Sequence, residues 1–369
     1  MSFLRNCWYA GAWSDEVGAH LFARTILGEP VVMYRTAAGQ PVALLDRCPH
    51  RLLPLSKGRL RGDMVECGYH GLTFDRAGVC IRVPGQERIP PAAKVKSYPV
   101  AEHLGLVWIW PGDPALADTA KLFDQAPQWA AAQGERPAWG LNRGPYTHVK
   151  ANFQLLTENL VDPAHVSFVH GSTLGTAMMA DIPIETTQVG DTLLVTRWTL
   201  DSPAAPILQR YGKWAGNVDR WQYYWLYPPA IAVVDFGSDL PGMDHSDEAR
   251  ERGLRIFSCH FLTPETAGST HYFWLQLRNF AQTDAAVSRD ITEQFIVAFA
   301  EDKAVLEAIQ QAEAAPFVDE RVKLALDAGS VRLRRTVARM IAEEQAMAVP
   351  AARGKNIPGA TIATIATIN

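Results

Sequence analysis

From residue 20 to about 112 the apolar positions fall in short runs cut by turn formers. Pro30-Val31-Val32-Met33-Tyr34 and Pro41-Val42-Ala43-Leu44-Leu45 are bounded by Gly, Pro and Ala-Gly-Gln turns, and Leu104-Gly-Leu-Val-Trp108-Ile-Trp110 stops at Pro111-Gly112-Asp113-Pro114. This pattern predicts small strands joined by tight turns. Residues 115–140, rich in Ala, Asp and Pro, read as a linker with a short helix. Beyond 143 the periods lengthen: strands are expected over 190–200, 220–236, 254–263 and 269–280, helices near 151–168 and 286–311, and a further helical stretch over 319–348. Strand runs with helices set apart from them predict an α+β fold.

One position breaks the pattern. Along the amphipathic helix 293–311 the apolar stripe runs Phe295, Ala298/Phe299, position 302, Val305/Leu306 and Ile309, and position 302 is Asp. A carboxylate on a buried stripe is costly unless it is paired or metal-bound. Its neighbour Glu301 lies about 100° round the helix and is the weaker candidate.

Composition narrows the class. With 369 residues, 48% hydrophobic and 20% charged, the chain can fill about two domains. A net charge of −4 gives no electrostatic reason to expect nucleic acid or an anionic membrane as partner. Met1-Ser-Phe-Leu-Arg-Asn-Cys-Trp-Tyr has no secretion-signal pattern, and no apolar stretch is long enough to span a bilayer, so a cytoplasmic location is expected. Five cysteines make a disulfide framework improbable in such a chain. Cys7, Cys80 and Cys259 read as reduced thiols serving as small buried hydrophobes.

The other two cysteines sit in mixed pairs: Cys48-Pro49-His50 and Cys67-Gly68-Tyr69-His70. Two thiolates and two imidazoles from two tight loops form the ligand set of a Rieske [2Fe–2S] centre. A Cys2His2 zinc site is the alternative, but zinc pairs usually keep like with like, as C-x2-4-C and H-x3-5-H. A second cluster of donors follows at Asp162, His165 and His170. Asp162 and His165 share a helix face, whereas His170 reaches the same side only if the helix bends or ends between the histidines. Pro163 and Gly171 supply the means. Two histidines with a carboxylate from elsewhere, Asp302, form the 2-His-1-carboxylate set that leaves positions open on Fe(II).

Cys48-Pro-His50-Arg51, Cys67-Gly-Tyr-His70-Gly71, Leu72-Thr73-Phe74-Asp75 and the run Glu158-Asn159-Leu160-x-Asp162-x-x-His165-x4-His170 resemble the Rieske non-heme iron oxygenases. Asp219-Arg-Trp-Gln222, Leu262-Thr-Pro-Glu-Thr266, His271-Tyr-Phe-Trp274 and Asp327-Ala-Gly-Ser-Val-Arg332 resemble the vanillate and dicamba O-demethylase branch, over nearly the whole chain to about 348. The resemblance implies an all-β Rieske domain (1–115), a helix-grip catalytic domain in which a curved antiparallel sheet holds a long helix (116–349), and a C-terminal tail (350–369). It implies a [2Fe–2S] cluster on Cys48, His50, Cys67 and His70, and Fe(II) on His165, His170 and Asp302. It also implies a homotrimer in which Asp162 links a cluster histidine of the neighbouring subunit to an iron histidine, with Asn159 near the metal.

The implied reaction is O2-dependent oxidative O-demethylation of a small, vanillate-like methoxylated aromatic acid, releasing formaldehyde. Electrons come from NAD(P)H through a separate reductase, because the chain carries no GxGxxG fingerprint. His260 is a candidate substrate contact by resemblance to the dicamba-type member. Trp221, Tyr223, Tyr224, Trp225 and Tyr227 could line an aromatic pocket, about half of them being core by strand alternation. Arg197, Arg220 and Arg278 are equal candidates to grip a carboxylate. Hydroxylation or dioxygenation of another aromatic carboxylate, diaryl ether or aryl sulfonate is the alternative, as is a Rieske electron carrier with no second metal. The closing Thr-Ile-Ala repeats carry no assigned chemistry.

Overall fold

A computed structural model describes residues 2–124, 126–135, 137–315 and 321–348. The tail expected at 350–369 lies outside the described residues, as do residues 319 and 320.

The short apolar runs form three small antiparallel sheets. One joins Tyr9–Trp13, Leu106–Ile109 and Val100–His103; a second joins Phe22–Ile26, Glu29–Arg35, Pro41–Leu45 and Ser97–Tyr98. The third, Arg59–Arg61, Met64–Glu66, Thr73–Phe74 and Cys80–Arg82, has its own small core with Val32, Tyr34, Leu44, Leu55, Val65 and Phe74.

The second half is built on an eight-stranded antiparallel sheet. Its order is Gly140–Arg143, Ser269–Arg278, Leu254–Thr266, Ile231–Asp239, Val218–Tyr227, Thr192–Ser202 and Glu185–Val189, with Thr147–Val149 also paired to Ser269–Arg278. Strand alternation sends the two sheet faces to different partners. Tyr224, Leu226, Ala232, Phe236, Ile256, Tyr272 and Trp274 face the long helix Ala285–Glu313, meeting its Ile291, Phe295, Ala298 and Phe299. Val233, Phe257, Cys259, Phe261, Phe273 and Leu275 face Trp8, Trp13, Trp108 and Trp110 of the N-terminal strands. Four hydrogen bonds pin this junction: Leu27 N–H to Pro264 O (2.8 Å), Gly28 N–H to Glu265 O (2.8 Å), Thr263 Oγ1 to Ala10 O (2.7 Å) and His271 Nε2 to Thr25 O (2.7 Å). The α+β class and the helix-gripping sheet are as expected.

Three elements differ from expectation. The single strand over 220–236 is two strands, Val218–Tyr227 and Ile231–Asp239, separated at Pro228-Pro229; proline has no N–H to donate to a ladder. The helix near 151–168 is Phe153–Asn159 followed, after a turn, by the single helical turn Val166–Val169. The last helix begins at Ala328, because 321–324 are not helical. Cys80 and Cys259 are buried as expected; Cys7 is only half-buried.

Candidate metal centres

Each Cys–His loop is a tight turn closed by the same two backbone bonds. Cys48 N–H donates to Leu53 O and Leu52 N–H to Cys48 O, both at 2.9 Å; Cys67 N–H donates to Leu72 O at 2.8 Å and Gly71 N–H to Cys67 O at 3.1 Å. The residue four positions after each cysteine has a positive φ: 62° at Leu52, 72° at Gly71. Glycine adopts that conformation freely, whereas leucine is strained there. The turn keeps both thiols buried and both imidazoles at the tips, with the His50 and His70 ring centroids 4.5 Å apart and Tyr69 3.9 Å from His70. Burial pushes the Cys48 thiol up to about 11, with the adjacent Cys67 adding to the shift. That thiol needs a metal to ionise at neutral pH.

Among the described residues, the one group of three or more possible ligands converging within 4.8 Å is His165, His170 and Asp302. A thiol pair and an imidazole pair fit two irons.

The converging group is made by a broken helix and a straight one. Phe153–Asn159, capped by Asn152 Oδ1 on Gln154 N–H (2.8 Å), ends at Leu160. Asp162 Oδ1 accepts from Ala164 N–H (2.7 Å), and the chain re-enters one helical turn that ends at His170, whose backbone has left the helix. That ending brings the two imidazoles to 5.2 Å between centroids. Across from them Asp302, on the buried face of the long helix, offers Oδ1 to His170 Nε2 at 3.1 Å and His165 Nε2 at 3.5 Å. Both Nε2 atoms aim at one carboxylate oxygen from inside a wall of protein, and this donor set suits a divalent transition metal with open positions.

Further polar groups hold this set. Asn159 Nδ2 donates to Asp302 Oδ1 at 3.1 Å. His170 Nδ1 donates to Glu301 Oε2 at 2.8 Å, and His165 Nδ1 lies 3.6 Å from Asp162 Oδ2. Burial works against protonation of His170, but Asp302 and Glu301 more than offset it, so its pKa is raised. Glu301, weighed from sequence only as a lesser ligand, is thus the partner of a histidine. Its position 100° from Asp302 could have signalled that.

These residues open onto a pocket between helix and sheet, walled by Leu160, Val234, Phe236, Phe295 and Phe299 with a few polar groups. His260 is one of those groups. It is fully buried, its Nδ1 is 2.6 Å from Tyr272 Oη, its Nε2 has no partner, and burial drives its pKa down to about 3. The neutral ring keeps one unsatisfied nitrogen for a ligand. Tyr224 lines the pocket and Trp221 borders it, while Tyr223, Trp225 and Tyr227 do not. Of the three candidate arginines, Arg220 lines it and Arg197 and Arg278 do not. Phe295, Phe299, Gln222 and Ser258 also line the pocket; the sequence placed Phe295 and Phe299 on an apolar helix stripe and Gln222 in a family motif, but gave none of the four a place at the site, because core-facing registers carry no chemical signature.

Comparison with known proteins agrees with this geometry. Residues 7–99 match the Rieske [2Fe-2S] domain and residues 149–343 the vanillate O-demethylase oxygenase C-terminal domain. The chain is 40% identical to the iron–sulfur subunit of the toluene-4-sulfonate monooxygenase system of Comamonas testosteroni, over 94% of this chain and 100% of that one. It is 35% identical to a vanillate O-demethylase oxygenase subunit of a Pseudomonas species, over 93% and 96% of the two chains. The crystal structure of dicamba monooxygenase bound to 3,6-dichlorosalicylic acid superposes with a TM-score of 0.84 at 31% identity, covering 94% of this chain and 100% of that one.

Proposed function

The chain belongs to the Rieske non-heme iron oxygenases of the vanillate O-demethylase type, and from that premise we propose that it removes a methyl group from a small methoxylated aromatic acid, releasing formaldehyde. The observation that carries this reading is the convergence of His165, His170 and Asp302 at the wall of a largely apolar pocket that also presents neutral His260. We assign the Rieske [2Fe–2S] cluster to Cys48, His50, Cys67 and His70, and Fe(II) to His165, His170 and Asp302. When bound, the cluster supplies electrons and the iron activates O2.

The protein's part is orientation and exclusion of water. Leu160, Phe236, Phe295 and Phe299 offer an aromatic ring a dry slot. His260 Nε2 can bond a substituent on the ring, with Tyr272 fixing its tautomer through Nδ1. Asn159 and Glu301 keep Asp302 and His170 aimed at one point. Oxidation of the methoxy carbon gives a hemiacetal, which collapses to a phenol and formaldehyde.

As an oxygenase component, the chain works with a separate reductase, which we take to be NAD(P)H-dependent. We further propose a homotrimer in which electrons cross from the cluster of one subunit to the iron of the next. Within one chain neither His50 nor His70 is hydrogen-bonded to Asp162, and the cluster loops carry exposed Leu52 and Tyr69. Apolar rims of this kind favour a protein partner. Asp162, beside His165, is the bridging residue. Among the described residues no helix is long and apolar enough to cross a membrane, and a cytoplasmic location fits NAD(P)H supply.

A second reading is favoured by the 40% identity to the toluene-4-sulfonate system: hydroxylation of a ring methyl on an aryl sulfonate. The purified chain with a reductase and NADH, offered methoxybenzoates and methylated aryl sulfonates, separates the two. Formaldehyde supports demethylation, a benzylic alcohol supports the second reading, and NADH consumption without either product rejects both.

A further inference from the structure

Resting on the pocket being the substrate chamber, we propose that Arg220 selects the substrate by binding the acid group of an aromatic carboxylate or sulfonate. Arg220 lines the pocket and is only 4% exposed. Its guanidinium donates to three neutral oxygens: Thr176 Oγ1 at 3.1 Å, Leu174 O at 3.1 Å and Pro203 O at 3.3 Å. Among the described residues no carboxylate forms an ion pair with it. Arg255, equally buried on another strand of this sheet, is different: it pairs with Asp235 and Asp247 at 2.8 and 2.7 Å.

A second buried guanidinium stands near Arg220, outside the pocket lining and under the influence of the Asp162 carboxylate. Arg197, on the next strand, donates to Gln222 Oε1 (2.9 Å) and Met179 O (3.0 Å), and its Nη2 is buried without a partner. Burial and repulsion from Arg197 lower the pKa of Arg220 to about 10. Arg220 faces the pocket with no carboxylate partner and with a second cation nearby; that arrangement is costly to keep, and a bound oxyanion relieves the cost. Arg278 lacks this character for the pocket: it reaches Asn142, Ser288 and the Ala281 carbonyl.

The sheet register separates this end of the pocket from the histidine end. On strand Ile231–Asp239, Arg220 is opposite Ser238 and His260 is opposite Ala232. Six residues apart at the rise of a strand is about 20 Å of backbone. A ligand held by its acid group at Arg220 lays its ring along the apolar wall that Phe236 and Phe295 form together. Arg220 and Gln222 lie on the same face of strand Val218–Tyr227 as Tyr224, so the acid group meets donors and the ring meets apolar side chains.

Calorimetric titration of the metal-loaded enzyme tests this with two charged probes, 4-toluenesulfonate and 4-methoxybenzoate, and their uncharged partners, 4-toluenesulfonamide and 4-methoxybenzamide. The wild-type enzyme should bind at least one anion about 30-fold more tightly than its amide, the range of a charge-assisted hydrogen-bond pair. Which anion shows the preference identifies carboxylate or sulfonate as the natural group. Arg220→Gln should erase the preference while leaving amide binding within about 3-fold, and Arg220→Lys should keep part of it. If Arg220→Gln does not fold, the wild-type ratio and Arg220→Lys decide. Equal binding of anion and amide, no binding of either anion, or an unchanged preference in the variants overturns the proposal. Product analysis on the same samples keeps the two ideas apart. Oxidation of charged and uncharged aromatics alike removes Arg220 from selection and leaves the function standing. Arg220-dependent binding with no oxidised product removes the function and leaves the anion site.

Discussion

The cluster loops draw four donors from residues 48–70 and hold them with backbone hydrogen bonds, whereas the mononuclear set joins His165 and His170 to Asp302 on a distant helix and is held by side chains. The first is shallow, with its imidazoles exposed; the second is deep, with His170 and Asp302 buried. The contrast follows the tasks proposed for them. A group that hands electrons to another protein surface has to reach that surface. A group that handles O2 beside a substrate has to be shielded from water, and shielding requires elements that are far apart in the chain.

The sharpest break of that comparison is to remove one site at a time. Cys67→Ser should abolish the visible absorption of the cluster and leave about one of three irons per chain, while Asp302→Ala should keep the visible spectrum, lose the single iron and be equally inactive; iron analysis with absorbance reads both. If Asp302→Ala also bleaches the cluster, the two sites are not independent. Subunits carrying these two lesions, mixed in one oligomer, should regain activity if electrons cross between chains.

Next in size, Asp162→Asn should retain both spectra and all iron, yet turn over roughly 100-fold more slowly, at the upper end for loss of a carboxylate that orients a ligand. Glu301→Gln probes the same layer at His170 and should cost about 10-fold in iron affinity, measured by chelator competition. The junction between the regions gives a pH test. Burial, with Arg24 and His148 beside it and only partly countered by Glu265 and the Thr25 bond, lowers the His271 pKa to about 4. The unfolded chain takes up a proton near the usual 6.5 and the folded chain does not. Stability is therefore full above that value and falls as pH drops from 6.5 toward 4, by up to about 3 kcal/mol. His271→Gln should flatten the melting temperature across that window; an unchanged slope refutes the assignment.

The smallest effects compare the two loops with each other. Gly71→Ala adds a Cβ at φ 72°, 2.9 Å from Pro84 Cγ, and should cost about 1–2 kcal/mol. Leu52→Gly relieves a strained leucine of about that size and loses about 0.5–1 kcal/mol through the unfolded chain, so its melting temperature should barely move. A large loss at Leu52 would mean that its exposed side chain is held by a partner.

Much of both sites was legible along the chain because their chemistry leaves local marks. Mixed Cys–His pairs have few uses, and Asp302 was visible as a carboxylate on an apolar stripe whose Phe295, Ala298, Phe299 and Leu306 are buried, although Val305 and Ile309 are exposed. That a broken helix must bring His165 and His170 together was readable, but the break was misplaced: the turn between them, Val166–Val169, is helical, and the helix breaks after Asn159 and ends at His170. Pro228-Pro229 marked a strand boundary that apolar content alone obscured. Glu301 and Asn159 were harder to place, because a polar residue beside a metal-binding position looks the same whether it faces the metal or water.

What the sequence determined by itself was the α+β class, the kinship and the candidate donors, since ligand spacing, strand alternation and helical periodicity are properties of neighbouring residues. Tertiary structure alone decided which face of the sheet became a pocket, and that Arg220 rather than Arg197 or Arg278 lines it. All three arginines sit on strands of similar composition. Their difference lies in sheet register and in which carbonyls and carboxylates lie across the gap, and those are contacts between residues far apart in the chain.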